Sequence, residues 1–179
     1  MALLQINFYS GTLHRKVPMQ VILPTDVSPG NKSPYKTLYL LHGLTENCMA
    51  WTSNTRIERW ATERNLAVVM PSGENSFYVD HPFGSSCFGD FGAYIGQELV
   101  ELTRKMFRLS TDRADTFIVG LSMGGFGALR NGLKYHETFG YIACLSGAIH
   151  IFEYPFDDPD RNIIGEDACF GDIRAAALT

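Results

Sequence analysis

The residues best suited to chemistry are Gly120-Leu121-Ser122-Met123-Gly124. They follow the apolar, β-branched-rich run Thr116-Phe117-Ile118-Val119 and precede the small-residue run Gly125-Phe126-Gly127-Ala128, a pattern that predicts a strand, a sharp reversal and a helix. Such a reversal holds Ser122 in a strained backbone conformation and pushes its hydroxyl outward. Gly120 and Gly124 flank the serine because a side chain at either place collides across the turn. Gly125, Gly127 and Ala128 are expected to keep the helix close to a sheet. The helix N-terminus then directs its partial positive charge to where an attacked carbonyl becomes an oxyanion. The chemistry implied is acyl transfer, with Ser122 as nucleophile.

A second element fits that chemistry. His42-Gly43-Leu44 ends the apolar run Leu38-Tyr39-Leu40-Leu41, and the candidate oxyanion hole is the backbone N–H of Leu44 with that of Met123. Each aimed donor contributes ~3 kcal/mol of transition-state stabilisation. His42, at the strand end, is expected to orient this loop rather than to transfer protons. Asp80-His81 and Cys87 offer no further ligand at metal spacing, so no metal is expected there.

The elements that must position these groups alternate. Leu3 to Tyr9 and Val17 to Leu23 predict an antiparallel hairpin around Gly11, and the Pro24 to Pro34 stretch a loop. Buried strands follow at Leu38 to His42, Leu66 to Met70, Thr116 to Gly120 and Gly140 to Leu145, nearly continuous in apolar residues. A helix is expected from about Thr55, with Trp60 and Ala61 on its apolar side and Thr52, Ser53 or Asn54 as cap. Ile95, Leu99, Leu102, Met106 and Leu109 form one helical stripe, and Met123 to about Tyr135 a further helix. Strand–helix alternation implies a mostly parallel, doubly wound α/β sheet with right-handed crossovers. Its carboxyl edge should gather His42-Gly43-Leu44-Thr45, Pro71-Ser72-Gly73, Gly120-Leu121-Ser122 and Ser146-Gly147-Ala148, where ligands bind in open α/β sheets.

Bulk properties exclude several classes. The chain has 179 residues, 45% of them hydrophobic and 19% charged, with net charge −4, which suits one globular domain. No cluster of Lys and Arg supplies the positive field that a nucleic acid or an anionic membrane surface requires. No apolar run is long enough to span a bilayer, and Met1 to Asn7 do not read as a signal peptide. The four cysteines, Cys48, Cys87, Cys144 and Cys169, lack a C-x-x-C pair and are expected as reduced thiols of a cytoplasmic protein. The glycosylation acceptor at Asn31-Lys32-Ser33 is discounted on the same ground.

Leu40-Leu41-His42-Gly43-Leu44, Met70-Pro71-Ser72-Gly73-Glu74-Asn75-Ser76-Phe77-Tyr78 and Gly120 to Arg130 together resemble the esterase D group of α/β-hydrolases, and within it the bacterial tributyrin-type carboxylesterases. The resemblance covers about Leu3 to Ile149. It implies hydrolysis of small acyl esters without a cofactor, with S-formylglutathione thioesters as the alternative substrate class. Phe77, Tyr78, Phe83, Phe88 and Phe91 crowd one strand end and are expected to leave a small acyl pocket, with esters from acetyl through butyryl the best substrates. The stretch from His81 to Gly92 is open between a mobile wall over that pocket and an ordinary surface loop.

The resemblance also implies an acid and a histidine after the nucleophile, in that order. Phe152 to Thr179 holds Asp157, Asp158, Asp160, Glu166, Asp167 and Asp172 but no histidine, and only His136 and His150 follow Ser122. His136 is expected to lie at the far end of the post-nucleophile helix. His150 leaves its strand at the catalytic edge, either as a surrogate base or as an ordinary loop residue. Arg174 to Thr179 reads as the start of an interrupted helix. The domain expected is therefore residues 1–179 as a single α/β-hydrolase domain lacking its C-terminal strands, severely impaired as an esterase by itself. It is expected to self-associate as a homo-oligomer through its unpaired sheet edge, or else to be a non-catalytic associating fragment.

Overall fold

The computed structural model describes residues 1–25, 34–81 and 87–150. Its strands are β1 (Ala2–Ser10), β2 (Arg15–Leu23), β3 (Lys36–Leu41), β4 (Leu66–Pro71), the short β5 (Asp80–His81) and β6 (Gly89–Asp90), β7 (Thr116–Leu121) and β8 (Tyr141–Leu145). The helices are α1 (Ala50–Asn54), α2 (Ile57–Glu63), α3 (Phe91–Ala93), α4 (Leu99–Met106) and α5 (Met123–Lys134), with a π turn, Tyr94–Glu98, between α3 and α4.

One six-stranded sheet runs in the order β1-β2-β4-β3-β7-β8. The β1–β2 hairpin is antiparallel and joins β4 antiparallel. The β4–β3, β3–β7 and β7–β8 pairs are parallel. This is the expected mostly parallel sheet with an antiparallel N-terminal hairpin. The period of two along each strand divides the core between its faces. Met19, Val21, Tyr39, Leu41, Val69 and Ile118 pack with Ile95, Leu99, Met123 and Phe126 from the helices on one side. Ile22, Leu40, Val68 and Met70 pack with Ile57 and Ala61 on the other. Helices on both faces make the sheet doubly wound.

Three helical expectations need correction. The helix foreseen from Thr55 is α2; a further helix, α1, precedes it and ends where Thr55 is extended (φ −137°, ψ 177°). Its hydroxyl turns back to the Trp51 carbonyl and also accepts the Ile57 N–H, so it separates α1 from α2. Thr52, Ser53 and Asn54 lie inside α1 rather than capping a helix. Trp60 is exposed, while Ile57 and Ala61 face the core. The stripe from Ile95 to Leu109 is interrupted by the π turn and ends at Met106; Ile95 and Leu99 are buried, but Met106 is exposed and Leu109 lies beyond the helix.

Candidate active site

The turn from β7 into α5 has the foreseen geometry. Ser122 sits at φ 56°, ψ −116°, in the region that disfavours an L side chain and costs ~1–3 kcal/mol. Neighbouring backbone holds it there. Its N–H donates to Leu145 O (2.9 Å), and its carbonyl accepts from Phe126 N (3.1 Å) and Ala148 N (3.1 Å). A Cβ at Gly120 would come within 2.1 Å of Gly124 O, and one at Gly124 within 2.5 Å of the Leu41 and His42 carbonyls. Only hydrogen fits at either place. Gly125 admits the Gly147 backbone, and Gly132 admits Ile118 and Ile142 of the sheet. Gly127 does something else: it leaves room for the Tyr78 ring, so the close approach there is to an aromatic wedge rather than to the sheet.

The loop after β3 lies against this turn. A Cβ at Gly43 would lie 3.8 Å from Ser122 Cβ. His42 is buried, with its Nε2 2.8 Å from Gly73 N and its Nδ1 2.7 Å from Gly43 O. A backbone N–H only donates, so Nε2 accepts and Nδ1–H donates to the Gly43 carbonyl. Burial depresses the imidazole pKa, opposed by the Gly43 carbonyl and Glu46. His42 therefore works as a neutral strut between loops, as expected, and both ring nitrogens are occupied.

Other bonds complete the loop. Tyr78 OH donates to His42 O (3.1 Å), Gly43 N–H donates to Glu46 Oε2 (3.0 Å), and Thr45 N–H donates to Asn75 Oδ1 (2.8 Å). Leu44 N–H has no acceptor among the described residues. Met123 is the first residue of α5, where helix geometry leaves the N–H without an intrahelical partner. The two donors foreseen as an oxyanion hole are thus both unspent beside an exposed serine. The Gly73 N–H bond to His42 joins two of the foreseen edge segments, and the Ala148 N–H bond to Ser122 O joins the other two.

Ser122 Oγ has no hydrogen-bond partner among the described residues. His136 lies at the opposite end of α5, beside Leu133 O (3.2 Å) and Glu137 (3.0 Å). His150 is exposed. The candidate acids from Asp157 to Asp172 lie outside the described residues, as do Asn31, Phe83 and the stretch 174–179. Among the described residues no group of acidic, histidine and cysteine side chains is arranged to hold a metal.

Where it is described, most of the aromatic cluster packs inward. Phe77, Tyr78 and Phe91 are core residues. Phe77 packs edge-on to Phe126, while Phe88 stacks on His14 beneath the Arg15 guanidinium. Glycines 73 and 127 both leave room for the Tyr78 ring, which apolar burial draws inside. Two cavities lined by described residues adjoin α1 and the loop before it, a feature hidden in sequence because Trp51, Asn54 and Thr55 show no motif. The expectation of reduced thiols fails at Cys87, which is disulfide-bonded, whereas Cys48 and Cys144 are free.

Comparison with known proteins agrees with the geometry. The family model described as "Putative esterase" matches residues 10–170. The chain belongs to this esterase family. An acetyl esterase from Caldicellulosiruptor saccharolyticus is 47% identical over 158 residues, which are 84% of this chain and 58% of the relative. The substrate-bound fluorophosphonate-binding serine hydrolase FphF of Staphylococcus aureus superposes with a TM-score of 0.80 at 31% identity, covering 98% of this chain and 69% of that one. The S-formylglutathione hydrolase FrmB of the same organism gives 0.78 at 33% identity, covering 96% and 66%. The fold is that of α/β-hydrolase esterases, and the chain spans 58% of the length of the acetyl esterase it matches.

Proposed function

We propose that the chain is the nucleophile-bearing part of a serine carboxylesterase that hydrolyses short-chain acyl esters through an acyl-enzyme on Ser122. The observation carrying this reading is the strained Ser122 at the head of α5, with the N–H groups of Leu44 and Met123 unspent beside it. In this mechanism Ser122 Oγ attacks the ester carbonyl as a base takes its proton. The oxyanion is held by Leu44 N–H and Met123 N–H, and collapse expels the alcohol. Water then attacks the acyl-enzyme in the same way and releases the acid, returning the proton to Ser122. The base and its orienting acid are parts of the proposal to which no described residue is assigned. No metal or organic cofactor enters any step.

The acetyl esterase relative supports the short acyl group. The likeness to the S-formylglutathione hydrolase favours a second reading, a thioesterase on the same serine. Turnover of aryl acetate, butyrate and octanoate beside a glutathione thioester separates them. The esterase reading expects kcat/KM to fall gradually beyond butyrate, since each methylene changes discrimination by only about 1–3 kcal/mol. A preference for octanoate overturns it, and a large preference for the thioester replaces it.

No helix among the described residues is long and apolar enough to cross a membrane. The free thiols of Cys48 and Cys144 favour a cytoplasmic enzyme, against which the disulfide at Cys87 weighs. Thiol titration of protein taken from its own cells decides between the compartments.

A further inference from the structure

Two cavities lie end to end along α1. The inner one, about 50 Å³, is lined by Glu46, Ala50, Trp51, Asn54, Thr55 and Leu121. Leu121, which lines it, is the residue that leads directly into Ser122. The outer one, about 230 Å³, shares Glu46, Ala50 and Asn54 and adds Asn47, Met49 and Ser53. Glu46, Asn47, Met49, Ser53 and Asn54 are all exposed, so the groove opens to solvent. Its polarity changes along the way, from Trp51 and Leu121 near the serine to amides and a hydroxyl outside.

Among the described residues, Glu46 is the one charged side chain lining either cavity. Its place is fixed by the Gly43 N–H, which donates to Oε2. A methyl group at Gly43 would lie 3.2 Å from that oxygen and 3.8 Å from Ser122 Cβ, so the carboxylate stands no more than two such contacts from the serine.

Resting on the esterase reading above, we infer that this groove receives the departing alcohol, and that Glu46 selects neutral, hydroxyl-bearing alcohols against anionic ones. An acyl group stays on Ser122 while the ester is cleaved, whereas the alcohol has to leave, and this groove provides an open exit. The inner cavity has room for roughly a few water molecules, which suits the first atoms of a leaving group. Outside it, Asn47, Ser53 and Asn54 offer donors and acceptors to hydroxyls. A carboxylate or carboxylated thiol entering the groove meets Glu46, and no Lys or Arg among the described lining residues offsets it. At this separation, like charges near a protein surface reduce kcat/KM by about tenfold, and salt weakens the effect.

The test compares 4-nitrophenyl acetate with its 3-carboxy derivative on the full chain and on Glu46→Gln. The amide oxygen of glutamine still accepts the Gly43 N–H, so the variant removes charge and keeps the loop bond. The expected result is a neutral-to-anionic ratio in kcat/KM that is about tenfold larger in the parent than in Glu46→Gln and that shrinks with added salt. An unchanged ratio overturns the inference. A second arm needs no turnover: phenol and 3-hydroxybenzoate are titrated against Ser122→Ala, Trp60→Phe protein, with Trp51 fluorescence as readout. Phenol should perturb Trp51, and 3-hydroxybenzoate should do so only after Glu46→Gln. Equal responses from both ligands refute the groove. Hydrolysis that survives Ser122→Ala refutes the esterase reading while leaving the binding result to stand or fall by itself.

Discussion

Gly73 N–H donates to His42 Nε2 at 2.8 Å, and this bond alone determines which nitrogen of the buried ring carries the proton. The other nitrogen must then donate to the Gly43 carbonyl (2.7 Å), so one imidazole ties the loop after β4 to the loop that carries the Leu44 N–H.

Replacing His42 with alanine leaves the Gly73 donor without a partner and opens a void. Two orphaned polar groups and a lost ring cost about 2–4 kcal/mol, readable as a lower urea midpoint. The pH dependence follows from the depressed pKa. The unfolded chain binds the proton first, so His42 contributes fully above about pH 6.5, and its contribution is lost as pH falls from there through the folded-state value. Parent protein should lose stability across that window, and His42→Ala should lose less.

Ser122 carries backbone strain that glycine does not feel. Ser122→Gly should raise stability by about 0.5–1 kcal/mol while abolishing turnover, since relief of strain exceeds the added chain entropy. Calorimetry of the two proteins at one pH checks it, and a destabilised variant would contradict the strain assigned to the turn.

Gly124 has no such freedom to change. A Cβ there meets the Leu41 and His42 carbonyls at 2.5 Å, which are backbone and cannot swing away. Gly124→Ala should cost at least about 3 kcal/mol or prevent folding, whereas Gly11→Ala, whose nearest neighbour is Glu98 Oε1 at 3.5 Å, should be tolerated. Circular dichroism and denaturation midpoints separate the pair.

Among the described residues β8 ends the sheet order, with Tyr141 60% and Leu145 44% exposed. Unpaired strand edges with apolar side chains invite pairing with another chain. Sedimentation should show concentration-dependent association, and Tyr141→Lys should reduce it. A monomer at all concentrations contradicts that expectation.

The sheet was legible because its strands are short apolar runs bounded by turn residues, and the β7–α5 turn because glycines 120 and 124 are sterically compulsory. The separation of α1 from α2 was not, since it depends on the Thr55 hydroxyl returning to the Trp51 carbonyl, a choice that helix propensity does not register. The inward packing of the aromatic residues was not legible for a related reason: Gly73 and Gly127 make room for the Tyr78 ring, and Phe77 packs on the distant Phe126, neither of which shows along the chain. Glu46 left no mark at all, because its meaning lies in a single bond to Gly43 N–H.

That Ser122 is the nucleophile is tested most directly by treating the protein with an aryl fluorophosphonate and locating the adduct by peptide mass spectrometry. One adduct is expected, on the peptide containing Gly120 to Gly124, with Ser122 as the modified residue, and it should be wholly absent from Ser122→Ala. An adduct on another serine, or labelling and aryl acetate turnover that persist in Ser122→Ala, would contradict the assignment.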